Sequence, residues 1–310
     1  MDYSKIIRVF PRRNSYTPDD DMCFFGPPEL FIPAHDEVHV CCVFTWDREW
    51  CQELQYQWGG ATDKPVKIGG PAFGDAGGDF VSGMYVRKGM TFTSRGCPNN
   101  CSFCFVPKRE GKLRELPITE GNIIQDNNFL ACSQEHRAKV YDMLKKQSRI
   151  EFKGGLEAVR LTDWDIEQMR SLKIDKLWFA ADCDGSVPGI KKVAANLLKA
   201  GFRRDNLHCY VLIGDDMAKN EARLKSVAFA GMLPRAQLYQ PKEWIEYSEE
   251  WKKFQRYWYR PAIYCSDLGL RSKFPVAKEH EGEWTKLIKS YSLDIWQKIQ
   301  KSVTHKAEKP

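Results

Sequence analysis

The stretch Thr93-Ser-Arg-Gly-Cys97-Pro-Asn-Asn-Cys101-Ser-Phe-Cys104 places three cysteines within eight residues, with the spacing C-x3-C-x2-C. Cysteine thiolates are the ligands of iron–sulfur clusters and of many zinc sites. A [4Fe-4S] cluster takes four ligands, so three cysteines leave one iron open to a ligand from outside the protein. A structural zinc site closes with four ligands, usually from two separated pairs, and the sequence supplies no second short-spaced pair cleanly. The motif therefore predicts an iron–sulfur cluster, with zinc or structural thiols as the alternative.

This motif resembles the cluster loop of the radical S-adenosylmethionine (SAM) superfamily, in which SAM binds the open iron. The resemblance includes Phe103, the aromatic residue before the third cysteine, and the apolar run at 90–93 that leads into the loop. It implies a [4Fe-4S] cluster on Cys97, Cys101 and Cys104 and reductive cleavage of SAM to a 5′-deoxyadenosyl radical. It also implies SAM as a cofactor and a reductant such as flavodoxin or ferredoxin as a partner.

From about residue 84 the chain alternates between strand-like apolar runs and amphipathic helices, which indicates parallel βα units. The predicted strands are 90–93, 122–130, 149–153, 176–182, 207–214 and 236–241. The fold class is therefore α/β, and the resemblance implies a partial (β/α)6 barrel over 83–245. Ligands of such sheets lie at the carboxyl ends of the strands. A loop that follows the first strand falls on this edge, as a cluster loop should.

Residues 1–82 form a separate piece, with predicted strands at 38–44 and 65–68 around a helix at 47–58. The piece resembles a shortened, Rossmann-like cobalamin-binding domain, and the turn Gly69-Gly70-Pro71 after a strand is similar. The cobalt-ligating motif Asp-x-His-x-x-Gly of that domain is absent. We therefore expect a degenerate subdomain without cobalamin, and a cobalamin-dependent methyltransferase stays the alternative.

Residues 246–310 are predicted to form a helical C-terminal extension. The run Trp251-Lys-Lys-Phe-Gln-Arg-Tyr-Trp-Tyr-Arg260 could stack bases and meet phosphates, but a buried amphipathic helix with snorkelling lysines is the preferred interpretation. A last amphipathic helix is predicted at 284–303.

The resemblance also implies which residues contact SAM. The turn after the second strand, Asp126-Asn127-Asn128, would bind the amino group, and an Asx turn that caps the next helix is the less favoured alternative. The other implied contacts are Arg160 with the carboxylate, Asp182 and Asp184 with the ribose, and Gly214 and Leu238 with the adenine. Cys265 follows the sixth strand, where some radical enzymes carry a hydrogen-atom donor. Surface solvation and core packing are the alternatives for these residues.

Composition limits the class of protein. The chain has 310 residues, 43% of them hydrophobic and 28% charged, and has neither an apolar leader nor a twenty-residue apolar run. Eleven cysteines without an export signal favour a reducing, cytoplasmic setting and no membrane. Residues 1–80 carry a net charge of −6 and the remainder +12. This asymmetry permits an anionic substrate such as a nucleotide or nucleic acid, or a nucleic-acid-binding protein with a structural metal site as a further alternative.

Overall fold

Two parallel sheets organise the part of the chain that the computed structural model describes, which is residues 5–75, 78, 80–241 and 245–270. The first sheet belongs to the N-terminal piece, and the second is built from the βα units that follow. The predicted α/β class is confirmed.

The N-terminal sheet is fully parallel, with the spatial order β2-β1-β3-β4. Its elements are β1 (Ile6–Phe10), β2 (Cys23–Phe25), β3 (Glu37–Cys41), α1 (Arg48–Ala61) and β4 (Val66–Gly69). Every residue of β1 is buried. The sequence pattern did not predict β1 and β2, because a charged Arg8 interrupts the apolar run of β1. Inside the fold this guanidinium is buried and pairs with Asp20, which removes the cost of an isolated buried charge.

The second sheet has six strands, and a short antiparallel pair branches from its first connection. Its elements up to the third strand are β5 (Met90–Thr91), β6 (Ser94–Arg95), α2 (Val106–Arg109), β7 (Arg114–Glu115), β8 (Ile123–Ile124), α3 (Gln134–Leu144) and β9 (Ile150–Leu156). The elements that follow are α4 (Asp163–Arg170), β10 (Ile174–Ala180), α5 (Val187–Lys199), β11 (Leu207–Ile213), α6 (Met217–Phe229), β12 (Leu233–Leu238), α7 (Glu249–Trp258) and α8 (Pro261–Asp267).

The six strands lie side by side in chain order, β5-β8-β9-β10-β11-β12, and every pair is parallel. Successive crossovers of one hand in one direction place their helices on the same face of a sheet. One core cluster accordingly joins alternate strand residues, such as Phe152, Phe179 and Val211, to side chains from α3 through α8. The opposite face of the sheet receives none of these helices.

Local signals placed several elements correctly and missed the ends of others. Thr162 and Asp165 form a capping box at the start of α4. The third strand is longer than predicted and contains Gly154 and Gly155 instead of ending before them. A Cβ at Gly154 would lie 1.9 Å from the backbone oxygen of Asp126, so only glycine lets these strands approach.

The helices α7 and α8 form the described part of the C-terminal extension. Trp258 of α7 is fully buried, which agrees with an amphipathic helix whose apolar side packs inward. The helix predicted at 284–303 lies outside the described residues. Of the helices in the described residues, none combines the length and apolarity that a membrane span requires.

Candidate functional site

The cysteine loop leaves β5 at the carboxyl edge of the six-stranded sheet and folds back on itself. Ser94 and Arg95 of β6 pair with Glu115 and Arg114 of β7. Gly96 has a left-handed φ of +79°, and a Cβ there would lie 2.3 Å from the carbonyl oxygen of Lys112. The loop therefore needs glycine immediately before Cys97, for both its backbone conformation and its close approach.

The three cysteines are free thiols that differ in exposure, Cys97 and Cys104 being half-buried and Cys101 exposed. Burial raises the pKa of Cys101, and the neighbouring thiols of Cys104 and Cys97 add to the shift. Burial also raises the pKa of Cys104, against a lowering by the backbone of Val106. Phe103 is half-buried between them in the chain. The three sulfurs thus lie close enough to influence one another electrostatically.

Among the described residues, no three His, Cys, Asp or Glu side chains converge on a point where a metal ion could be held. Ligands of one zinc ion must meet at about 2.3 Å from a common centre. In a cubane, by contrast, each cysteine binds a different iron, so the sulfurs need not meet at one point.

Asp126 lies beneath the cysteine loop and anchors it. Its carboxylate accepts hydrogen bonds from the backbone N–H of Thr93 at 2.6 Å, the Thr93 hydroxyl at 2.5 Å and the Ser94 hydroxyl at 2.8 Å. Burial raises the pKa of Asp126, against the lowering effect of these donors. The predicted contact between Asp126 and the SAM amine does not fit this placement, because the carboxylate is buried and both of its oxygens are occupied.

Asn127 and Asn128 contact the same loop in different ways. The Asn127 side-chain oxygen accepts from the backbone N–H of Gly96 at 3.0 Å. The Asn128 Nδ2 lies 3.5 Å from the Sγ of Cys97 and 2.7 Å from the Oε2 of Glu157. The Asn128 Oδ1 is buried and has no hydrogen-bond partner among the described residues. The structure therefore presents an unoccupied acceptor beside the first cysteine.

Glu157, which the sequence reading left unassigned, lies at the centre of this part of the site. Burial by itself would raise the pKa of Glu157, but hydrogen bonds from Asn128, Arg160 and Asn99 bring the pKa below its usual value. The Nε of Arg160 donates to Glu157 at 2.5 Å, so Arg160 is half of an ion pair. The stretch Gly154-Gly155-Leu-Glu157, at the carboxyl end of the third strand, is the sequence signal that could have identified Glu157.

Asp182 and Asp184 follow β10 and face different surroundings. Burial raises the pKa of Asp182 to about 6, against a lowering by Arg223. The Asp182 carboxylate also raises the pKa values of Cys101 and Cys104, which places it near the cysteine loop. Asp184 instead accepts from the Nε of Arg223 at 2.9 Å. Its predicted ribose contact is not supported, because this carboxylate is paired on the side of α6.

Gly214 and Leu238, which were predicted to contact adenine, both pack against other parts of the protein. Gly214 has φ +134°, and a Cβ there would lie 2.4 Å from the hydroxyl of Tyr247. Tyr247 donates this hydroxyl to the carbonyl oxygen of Tyr239 at 2.6 Å. Tyr247 therefore packs closely against Gly214, and the adenine contact of Gly214 stays a prediction. Leu238 is half-buried against the helix-side core, which agrees with the packing alternative.

Cys265 lies at the wrong edge of the sheet for the predicted hydrogen-atom donor. It is a buried residue of α8, and its charged neighbours include Arg204 and Asp205, which precede β11. The adjacent Tyr264 donates its hydroxyl to the carbonyl oxygen of Pro234 at the start of β12. Cys265 is therefore close to the amino ends of these strands, whereas the cysteine loop leaves a carboxyl end.

Arg95, two residues before Cys97, contacts a carboxylate and an aromatic ring. Its guanidinium lies 3.8 Å from the buried carboxylate of Glu110 and 4.1 Å over the ring of Phe92. Burial lowers the pKa of Arg95, against a raising by Glu110. The observed contacts of Arg95 are thus an ion pair with Glu110 and a cation–π contact with Phe92.

Comparison with known proteins adds no assignment. No protein-family model matches this sequence, and no curated protein gives a significant match.

Proposed function

We propose that this chain is a radical SAM enzyme that binds a [4Fe-4S] cluster through Cys97, Cys101 and Cys104. The observation that carries the proposal is the position of a C-x3-C-x2-C loop after the first of six parallel strands arranged in chain order. The helices on one face of this sheet agree with a partial (β/α)6 barrel, in which the other face would be the interior. The carboxyl edge of such a sheet is where ligands bind.

The residues around the loop fit a cluster. Three cysteines with exposed or half-buried thiols supply soft ligands, and the Asn128 amide is a hydrogen-bond donor for one of them. When bound and reduced, the cluster supplies the electron that cleaves SAM to methionine and a 5′-deoxyadenosyl radical. The protein itself binds, orients and shields the reacting groups.

The acceptors beside Cys97 suit an ammonium group. The buried Oδ1 of Asn128 lacks a partner among the described residues, and Glu157, with its lowered pKa, is ionised at neutral pH. An ammonium group is a triple donor without an acceptor, so both oxygens would be satisfied by the SAM amine. We therefore assign this role to Asn128 and Glu157, and Asp126 holds the loop from below.

Asp182 is the remaining carboxylate near the loop, and we assign it to a ribose hydroxyl. The proposal includes a flavodoxin- or ferredoxin-type reductant and a cytoplasmic setting. It includes no cobalamin in the N-terminal piece.

Production of 5′-deoxyadenosine tests the proposal. The protein is reconstituted anaerobically with iron and sulfide, reduced, and given SAM, beside a variant in which Cys97, Cys101 and Cys104 are all replaced by alanine. We expect about four irons per chain and 5′-deoxyadenosine from the native protein, and neither from the variant. A Cys265→Ala variant serves as a matched cysteine control and should keep its cluster, because Cys265 lies at the opposite edge.

Zinc binding in place of a cluster would contradict the proposal. A correctly formed cluster that leaves SAM intact under reduction would contradict the enzymatic part and favour a structural metal site.

A further inference from the structure

The face of the six-stranded sheet that lacks helices carries a continuous group of polar and aromatic side chains. We call it the concave face, after the interior of the proposed barrel, and define it by alternation opposite the helix-side core. Its polar and aromatic members are Gln125, Glu151, Lys153, Lys176, Trp178, His208, Tyr210 and Arg235, and the apolar Met90, Ile123 and Leu212 lie on the same face. Sheet faces that only pack against protein are usually apolar, so this composition needs an explanation.

Direct contacts join the centre of this group. The Nε1 of Trp178 donates to the Glu151 carboxylate at 2.7 Å. The Trp178 ring stacks on His208 and on Tyr210, with ring centroids 4.4 and 4.5 Å apart. Four neighbouring strands, counting Arg235 of β12 opposite Tyr210, therefore contribute to one surface.

Positive charge exceeds negative charge on the concave face. Lys153, Lys176 and Arg235 face one carboxylate of the face, Glu151, and Asp175 pairs with Lys176 from the adjoining position. The side chain of Lys153 is only 24% exposed and its nitrogen lies 4.0 Å from Glu151, beyond hydrogen-bond distance. Lys153 thus forms a long ion pair with Glu151, and Arg235 donates to the carbonyl oxygen of Tyr259, so a bound anion would balance the remaining positive charge of this face.

Two donor groups of this face also lack partners. The Nε of Arg235 and the Nε2 of Gln125 are buried and have no hydrogen-bond partner among the described residues. Buried donors are normally satisfied, so such groups indicate a ligand that accepts hydrogen bonds. Phosphate and carboxylate oxygens accept from guanidinium, ammonium and amide groups alike.

Aromatic side chains from both flanking pieces border the same face. The nitrogen of Lys153 lies 4.6 Å from the ring centroid of Tyr16, which comes from the N-terminal piece. The guanidinium of Arg235 lies 5.2 Å from the ring centroid of Tyr259, which follows α7. The cations therefore lie between two tyrosines on the sheet, and this enclosure favours a small molecule over a long polymer.

The concave face also leads to the candidate cluster loop. Along β10, Trp178, Ala180 and Asp182 alternate with the buried helix-side residues Phe179 and Ala181. Four residues of strand span about 13 Å, so a molecule of ordinary metabolite size reaches from Trp178 to Asp182. Asp182 in turn is near Cys101 and Cys104.

From this geometry we infer that the concave face binds the substrate of the proposed radical reaction, and that this substrate is a small molecule bearing a phosphate or carboxylate group. Lys153 on β9 and Arg235 on β12 supply the cations that bind this anionic group. The inference rests on the proposed function for its reaction, but the anion site itself does not require the cluster.

Calorimetric titration of the full-length, cluster-free protein tests the site, with pyrophosphate as the phosphate probe and citrate as the carboxylate probe. We expect measurable binding of at least one probe, weakened at least about tenfold in Lys153→Met and in Arg235→Met. Lys153→Arg should retain binding because it keeps the charge. The matched controls are Lys192→Met on α5 and Arg170→Met on α4, which should bind like the native protein. Thermal unfolding of every variant separates loss of the site from loss of the fold.

The outcome with each probe has a defined meaning. Binding of pyrophosphate alone assigns a phosphate-bearing substrate, and binding of citrate alone assigns a carboxylate-bearing one. Failure of both probes to bind the native protein, or equal binding by folded Lys153→Met and Arg235→Met variants, overturns the inference. Formation of 5′-deoxyadenosine without an anion site would reject this inference alone. An intact anion site without SAM cleavage would reject the proposed function and leave the binding site in place.

Discussion

The side-chain amide of Asn128 lies 3.5 Å from the Sγ of Cys97, and the same nitrogen donates to Glu157 at 2.7 Å. Hydrogen bonds to cluster sulfurs raise the reduction potential, because they stabilise the more negative reduced state. For a bond worth about 1 kcal/mol, Asn128→Leu should lower the midpoint potential by about 40 mV. Spectroscopic redox titration of the reconstituted protein measures this shift.

Asn127→Ala is the matched control for that prediction. Asn127 accepts from Gly96 and donates to no sulfur in the described contacts, so its loss should loosen the loop without the same shift in potential. Equal shifts in both variants would show that loop disorder, not the bond to sulfur, sets the potential.

Asp126 should control the order of the cysteine loop. Asp126→Ala removes three hydrogen bonds from Thr93 and Ser94 and leaves a buried N–H unsatisfied, so the free energy of unfolding should fall by about 3 kcal/mol. Asp126→Asn keeps an acceptor for the Thr93 N–H and should cost less. Urea unfolding gives the energies, and labelling of Cys101 by a thiol reagent should be faster in Asp126→Ala. Unchanged unfolding of Asp126→Ala would contradict the anchoring role.

Glu157 should contribute directly to SAM affinity. Removing a charge-assisted hydrogen bond, as in Glu157→Gln, should raise the SAM dissociation constant by about 10- to 100-fold. Equilibrium binding to the cluster-loaded protein measures the change. Glu167→Gln on α4, which removes an exposed ion pair with Arg170, is the control and should leave affinity unchanged. If Glu157→Gln binds SAM as tightly as the native protein does, residues other than Glu157 bind the SAM amine.

Gly154 should tolerate no side chain. Its added Cβ would lie 1.9 Å from the backbone oxygen of Asp126, so Gly154→Ala should lower the free energy of unfolding by about 3 kcal/mol or prevent folding. Gly59→Ala is the opposite case, because that helical position has nothing within 4 Å and should gain about 1 kcal/mol from helix propensity. Thermal unfolding of both variants tests the contrast, and similar stabilities would contradict the strand contact.

His208 should make stability depend on pH. Burial lowers the pKa of His208 to about 4 from 6.5, and the charges of Arg235 and Lys176 add to the shift while the Asp205 carbonyl and Asp175 oppose it. The unfolded chain then binds a proton that the folded protein does not, between pH 6.5 and 4. The neutral state of His208 therefore contributes roughly 3 kcal/mol to the free energy of unfolding above about pH 6.5. This contribution is lost as the pH falls to about 4.

Chemical unfolding of the native protein and of His208→Gln over this range isolates that contribution. Burial raises the pKa of Asp182 to about 6, so Asp182 changes stability in the opposite direction over an overlapping pH range. Because both proteins contain Asp182, its effect cancels in the comparison. The difference between the two curves should therefore fall with decreasing pH. A constant difference would contradict a neutral, buried His208.

The sequence predicted the α/β class, the order of the six parallel strands and the placement of the cysteine loop after the first of them. The sequence predicts these features because they depend on residues that are close together along the chain. The apolar runs of β10 and β11 bury both sides of a strand, and the capping box of Thr162 and Asp165 closes over three residues.

The tertiary structure alone decided which polar residues face the candidate site. Asp126 and Glu157 are both carboxylates that follow strands, and only their contacts distinguish them. Asp126 accepts from Thr93 and Ser94 and anchors the loop. Glu157 accepts from Asn128 and is the candidate ligand. The close contact between Tyr247 and Gly214 also depends on segments remote in sequence. The same is true of the distance between Cys265 and the edge of the sheet that carries the cysteine loop. Alternation along a strand gives two faces, but which of them the helices cover is decided by how the whole sheet folds.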